Sequence, residues 1–138
     1  MDPGGSLSNS TLDKNRQSTE YTAMRDFRDL GALHAAHDLV VEIHDISQSF
    51  PADDAFGVTR AIARSALAIP RSIAHGCGQD GDAGLSNALE NAAGYTSELE
   101  YLVLLASELG LIDDETLEEF SVSLGVFKKQ LEDDLADL

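Results

Sequence analysis

The chain has 138 residues, which is enough for one domain with its own hydrophobic core. Apolar residues make up 43% of the sequence, aromatic residues only 6%, and tryptophan is absent, a composition that favours packed helices over β architecture. The formal net charge of −16 disfavours general nucleic-acid binding, because an acidic surface repels phosphate backbones.

Two features bear on the compartment. No apolar run reaches the length of a membrane span, and the first residues lack the apolar segment of a signal peptide. Cys77 is the single cysteine and has no partner for an internal disulfide, which is typical of a reducing compartment. We therefore expect a cytoplasmic protein with no membrane partner.

The N-terminal segment differs from the rest of the chain. Residues 1–24 are polar, rich in glycine and serine, and show no sustained apolar repeat. Such a segment buries too little apolar surface to offset the entropy of ordering. The sequence predicts a flexible tail over 1–24 and a folded domain over 25–138.

Four apolar repeats of helical spacing follow, and each ends at a stop signal. The second helix is expected to begin at Asp53 or Asp54, either of which is a suitable N-cap. The predicted ranges are about 29–49, 53–76, 82–110 and 113–138. Short connections between helices of similar length predict an all-α fold, an antiparallel up-down-up-down four-helix bundle.

A proline interrupts the second apolar repeat. Pro70 stands where the helical pattern continues on both sides, and an internal proline removes a backbone hydrogen bond at a cost of about 3 kcal/mol. We expect it to kink the second helix around its neighbours, with Ser65 or Ala66 leaving room at the turn where a carbonyl is freed.

The third predicted helix is apolar on every side over residues 101–106. A single bundle covers only one side of a helix, so a second copy of the chain or a partner is expected to bury the remainder. The predicted oligomer-interface residues are Tyr101, Leu102, Val103, Leu104 and Leu105. The alternative is that a neighbouring helix in the same chain wraps further round.

The second helix carries a basic stripe in an otherwise acidic chain. Arg60, Arg64 and Arg71 fall within about 40° of one another on a helical wheel, opposite the apolar face and with Leu67 between them. We call these three residues the arginine stripe. It is a candidate docking surface for an acidic partner or a nucleic-acid backbone, since guanidinium groups pair with carboxylates and phosphates. The alternative is a solvated face with weak ion pairs.

Other reactive side chains give no site. His34, His37 and His44 are expected on the outward side of the first helix, without a carboxylate or cysteine placed to complete a metal sphere. His75 and Cys77 are two residues apart, do not face each other on a helix, and have no orienting third group. The sequence therefore predicts no catalytic residue, no cofactor and no metal.

Three segments together resemble a known family. They are FRDLGALHAAHDLV, FPADDAFGVTRAIARSALAIPRSIAHG and AAGYTSELEYLVLLASELGLID. The chain resembles the four-helix proteins encoded by intervening sequences of bacterial 23S rRNA genes, a family that includes the accessory variability determinant of diversity-generating retroelements. The most specific matches are Phe50, Pro51, Phe56, Gly57, Arg64, Ile69, Pro70, Ile73, Ala74 and Gly76, and in the third helix Gly94, Glu98, Leu99 and Glu100.

The chain also departs from the family pattern. Relatives that work with nucleic acid tend to be basic, whereas this chain is acidic. The departing positions are Leu33 for tryptophan, Ala63 for arginine, Ser72 for asparagine, His75 for glutamate and Tyr95 for serine. The resemblance implies a ring-like homo-oligomer, typically a pentamer, with no known enzymatic activity. In the retroelement branch it implies an adaptor for a reverse transcriptase and its RNA.

Three functional hypotheses follow. The leading one is a non-enzymatic, ring-forming adaptor accessory to a reverse transcriptase or another nucleic-acid enzyme. The second is direct RNA or DNA binding through the arginine stripe, which the net charge disfavours. The third is an enzyme or small-ligand carrier that uses the histidines, which would retain a stoichiometric ligand or metal through purification.

Overall fold

In the computed structural model, the described residues are 11–14, 25–54, 56–79 and 81–138. These ranges contain helices joined by turns and no strand. The four long helices are α1 (Gly31–Ser47), α2 (Val58–Cys77), α3 (Gly81–Glu108) and α4 (Asp114–Ala136). A turn of 3-10 helix, Phe27–Asp29, precedes α1. Across these ranges, no helix combines the length and the apolar character needed to cross a membrane.

The predicted cap of the second helix binds its first turn, although the helix begins later than expected. Gly57 has φ of 72°, a conformation that L side chains rarely adopt, and α2 starts at the next residue. The Asp54 carboxylate nonetheless accepts hydrogen bonds from the backbone N–H groups of Thr59 (3.3 Å) and Arg60 (3.1 Å). Asp54 therefore satisfies first-turn amides from outside the helix.

The connection between α3 and α4 ends one helix and starts the next. Gly110 has φ of 77°, and the Leu111 N–H donates to the Ala106 carbonyl at 2.9 Å, so the last carbonyls of α3 are satisfied. The Asp113 side chain then accepts from the Thr116 N–H at 2.8 Å and caps α4. The predicted end of the third helix near residue 110 and the predicted start of the fourth near residue 113 are confirmed.

The core is formed by all four long helices. Aliphatic side chains dominate it, and α4 contributes two fully buried phenylalanines, Phe120 and Phe127. The largest fully buried apolar side chains are Leu39, Ile62, Ile69, Ile73, Leu85, Leu89, Leu99, Phe120 and Phe127. Burial of a side chain of this size stabilises the fold by roughly 1.5–3 kcal/mol, so the helices are held by their apolar faces.

Contacts between α2 and α3 run in opposite order along the two helices. Near the end of α2, Gly76 approaches Ala88 of α3 so closely that a methyl group on Gly76 would lie 2.3 Å from the Ala88 Cβ. Further back, the Ser65 hydroxyl donates to Glu98 Oε1 at 2.5 Å. Since lower numbers on α2 meet higher numbers on α3, the two helices are antiparallel.

α4 is antiparallel to both of its neighbours. The Ala32 N–H at the start of α1 donates to Asp134 Oδ2 near the end of α4, at 2.8 Å. At the other end, Ile46 and Thr116 line one groove. Lys128 of α4 pairs with Glu100 of α3 at 2.7 Å, whereas the later Leu135 of α4 lines one pocket with the earlier Ala93 of α3, so α4 also runs opposite to α3. Because α2 and α4 are both antiparallel to α3, they are parallel to each other.

Two predictions concern the N-terminal tail and Pro70. The predicted tail lies mostly outside the described residues, but Thr11–Lys14 form a helical turn, and Arg28 Nε donates to the Leu12 carbonyl at 2.6 Å. α2 continues as an α-helix through Pro70 from Val58 to Cys77. Ser65 and Ala66, one turn before the proline, are buried.

Candidate docking surfaces

The arginine stripe lies on the outward side of α2. Arg60, Arg64 and Arg71 are exposed, and among the described residues none of their guanidinium groups has a carboxylate within 4.0 Å. Leu67, between them, is 47% exposed. The stripe is therefore a free basic surface within the described chain, with an apolar side chain at its centre.

A polar groove of about 540 Å³ lies between the end of α2 and the start of α3. Arg71 and His75 face it from α2, and Asn87 and Asn91 face it from α3, each pair four residues apart on one helix face. Among the residues that the structure describes, no carboxylate side chain lines this groove. One end of the arginine stripe thus opens onto hydrogen-bonding side chains of the described chain.

The predicted interface residues of α3 separate into three groups. Tyr101 is 63% exposed and Leu104 is 52% exposed, one turn apart on the outward side. Leu102 and Leu105 are half-buried and pack against the core. Val103 is buried in the core of its own chain, so it has no surface to offer a second copy. The outward apolar face of α3 therefore consists of Tyr101 and Leu104.

The three histidines of α1 do not all lie on its outward side, contrary to the prediction. His34 is buried, and its Nε2 donates to the Arg28 carbonyl at 2.7 Å, so the prediction that it lies on the outward side is wrong. Its partner belongs to the 3-10 turn before α1, which a helical wheel of α1 does not represent. Across the described ranges, no three His, Cys, Asp or Glu side chains come together as metal ligands.

Cys77 ends α2 in a buried position. Burial raises the pKa of its thiol to about 11, so the reactive thiolate is scarce near neutral pH. His75 is exposed, with its Nε2 beside the Gln79 amide at 3.3 Å. Cys77 is therefore a buried structural thiol, and His75 is a surface imidazole.

One polar contact was not predicted from the sequence. The buried Ser65 hydroxyl donates to Glu98, which links α2 to α3 at the turn before Pro70. A buried hydroxyl must find an acceptor, and Glu98 supplies one from the neighbouring helix. The sequence signal for this contact was Glu98 itself, which belongs to the family pattern. It stands beside Leu99, which is fully buried in the core.

The chain matches one known protein family over most of its length. The family described as 23S rRNA-intervening sequence protein matches residues 28–133, which includes all four long helices except the last three residues of α4. The chain belongs to this family. No curated protein matches this intervening-sequence protein.

The residues that carry the family pattern have structural roles in this intervening-sequence protein. Ile69 and Ile73 are fully buried on the inward face of α2. Gly76 permits the close approach to α3, and Glu100 pairs with Lys128 of α4. Much of the pattern therefore describes how the helices pack.

Proposed function

We propose that this intervening-sequence protein is a non-enzymatic adaptor that assembles with copies of itself. Its protomer is an up-down-up-down four-helix bundle with a kinked second helix, and the copies close into a ring for which a pentamer is the expected size. The observation that carries the proposal is the outward apolar face of α3, where Tyr101 and Leu104 are more than half exposed. A second copy would bury these side chains.

The antiparallel contacts support the bundle. α1 and α4, α3 and α4, and α2 and α3 are each antiparallel by their residue contacts, as alternating helices joined by short connections require. Pro70 supports the kink, because its backbone nitrogen has no hydrogen to donate to the Ala66 carbonyl.

The state of the one cysteine argues against nucleophilic catalysis by a thiol. A nucleophilic cysteine needs a lowered pKa and access to substrate, whereas burial raises the pKa of Cys77. The proposed partner is a reverse transcriptase or another nucleic-acid enzyme in the cytoplasm. The family resemblance in α2 and α3 supports that choice of partner.

The mass in solution tests the proposal. Light scattering after gel filtration at micromolar concentration and moderate salt is expected to give a multiple of the protomer mass, with five copies favoured. The Tyr101→Asp/Leu104→Asp variant is expected to shift to a lower mass, because charged side chains resist burial. Leu109→Asp is the matched control, since Leu109 is exposed but lies beyond the end of α3. A monomeric wild-type protein contradicts the proposal.

Direct RNA or DNA binding is the second candidate function. The three exposed arginines of the stripe favour it, because no carboxylate of the described residues lies within 4.0 Å of their guanidinium groups, which can therefore pair with phosphate. The net charge of −16 opposes it. Under this alternative, affinity for an RNA hairpin falls steeply with salt, and replacing the whole stripe with alanine abolishes binding. No binding even at about 50 mM salt contradicts it.

A further inference from the structure

The charges of α2 and α4 are opposite. α2 contains three arginines and no carboxylate, whereas α4 contains seven carboxylates and two lysines. Both lysines are already paired, Lys128 with Glu100 at 2.7 Å and Lys129 with Asp133 at 2.6 Å. Within the described part of the chain, the positive charge of α2 and most of the negative charge of α4 have no ion-pair partner and are available for contacts outside the protomer.

α2 presents its charge beside an apolar side chain. The basic face of α2 consists of Arg60, Arg64 and Leu67, which lie within about 60° on a helical wheel. Arg60 lies seven residues before the leucine and Arg64 three residues before it. The two guanidinium groups thus precede the apolar centre by about 10 Å and 5 Å along the helix.

α4 repeats this pattern with the opposite charge. The acidic face of α4 consists of Glu115, Glu118 and Val122, which also lie within about 60° on a wheel. The glutamates precede the valine by seven and four residues, are exposed, and have no cation within 4.0 Å among the described residues. Val122 is 66% exposed and Val126, one turn on, is 62% exposed.

We propose that the basic face of α2 in one copy docks in parallel onto the acidic face of α4 in the next copy. Leu67 packs on Val122, Arg64 pairs with Glu118, and Arg60 pairs with Glu115. This inference rests on the proposed self-assembly and names the two surfaces that meet. Because the two surfaces differ, each copy contributes its basic face to one neighbour and its acidic face to the other. This is the head-to-tail contact that rings with more than two copies need.

The arrangement of the helices within the protomer agrees with this contact. α2 and α4 are parallel to each other, and α3 and α1 lie between them on either side. Rotation about an axis along the helices preserves their direction, so α2 of one copy meets α4 of the next in parallel, as the matched spacings require. We place Tyr101 and Leu104 at the edge of the same contact, because they are exposed on α3, which packs against both α2 and α4.

Charge reversal tests the pairing in the full-length protein. Arg64→Glu places a glutamate opposite Glu118 and is expected to raise the dissociation constant of the assembly about tenfold or more, and Glu118→Arg to do the same. The double variant Arg64→Glu/Glu118→Arg restores the pair with reversed signs and is expected to regain assembly. Sedimentation of nuclease-treated protein across a concentration series measures the constant, and circular dichroism confirms folding.

Arg71→Glu is the matched control. Arg71 belongs to the arginine stripe and undergoes the same charge change, but in the proposed register it lies beyond Leu67, opposite Val126 and away from the two glutamates. Its assembly is expected to stay within about twofold of wild type.

The outcomes separate this inference from the proposed function. An assembled wild type whose Arg64→Glu variant assembles equally well overturns the inference and leaves self-assembly standing. A double variant that stays dissociated, or an Arg71→Glu variant as impaired as Arg64→Glu, overturns the pairing. A monomeric wild type overturns both proposals.

Discussion

At the residue scale, Cys77 links burial to pH dependence. Burial raises its pKa from the ordinary value of 9.0 to about 11, so the folded protein keeps the thiol neutral where the unfolded chain ionises it. The stability from this burial is complete below pH 9 and is lost as the pH rises towards 11, with a slope of up to about 1.4 kcal/mol per pH unit. Urea unfolding between pH 7 and 10.5 measures the decline.

Cys77→Ala is the comparison that isolates this residue. Other groups titrate in the same range and affect both proteins, so the informative quantity is the difference in unfolding free energy between them. That difference is expected to be constant up to about pH 9 and then to shrink. A constant difference across the whole range would show that the thiol ionises equally in the folded and unfolded states.

The burial of side chains in α1 could be predicted from the sequence only in part. A helical wheel predicts that Leu33, Ala36, Val40 and Ile43 share the buried face of α1. Three of them are in the core, and Val40 is half-buried at its edge. The wheel missed His34, because the acceptor that satisfies this side chain is the carbonyl of Arg28, which lies in the turn before the helix. A periodic pattern locates apolar faces, whereas a buried polar partner is set by tertiary placement.

At the element scale, the helices could be predicted and their junctions only in part. Long apolar repeats located all four helices, and Gly110 and Asp113 correctly marked the turn between α3 and α4. The start of α2 was placed too early, because Asp54 is a good cap by type and binds the first turn across the intervening Gly57. Capping chemistry was visible in the sequence, whereas the backbone path between cap and helix was not.

The contact between α2 and α3 gives a prediction at this scale. Gly76→Ala would place a methyl group 2.3 Å from the Ala88 Cβ, so the two helices must move apart. Overpacking of this kind costs typically 1–3 kcal/mol, and thermal unfolding is expected to occur several degrees lower.

Gly94→Ala is the control for this prediction. Gly94 is inside α3, and a methyl group there meets nothing within 4 Å in the protomer. Alanine favours a helix interior over glycine by up to about 1 kcal/mol, so this variant is expected to unfold at a higher temperature. Equal effects of the two substitutions would show that the close approach at Gly76 is unimportant.

At the scale of the whole molecule, the position of the charged residues along the chain bears more on the proposed assembly than the net charge does. Residues 113–138 carry nine carboxylates against two lysines, whereas residues 53–76 carry three arginines against two aspartates. An excess of acid repels nucleic acid and disfavours the compact state, but in the proposed assembly the basic face of α2 attracts the acidic face of α4 in another copy. The proposed assembly therefore depends on the difference in charge between residues 53–76 and residues 113–138, and it is compatible with the net charge.

Self-repulsion at this scale predicts that salt stabilises the fold. Raising chloride salt from about 10 mM to 500 mM shortens the screening length from about 30 Å to a few ångströms. The repulsion among the excess carboxylates then weakens, while the exposed ion pairs lost in exchange contribute little. The melting temperature is expected to rise by several degrees, equally in sodium and potassium chloride. The variant Glu90→Gln/Glu132→Gln/Asp137→Asn removes three exposed charges and is expected to rise less. A melting temperature that falls with salt would mean that ion pairs such as Lys128–Glu100 outweigh the repulsion.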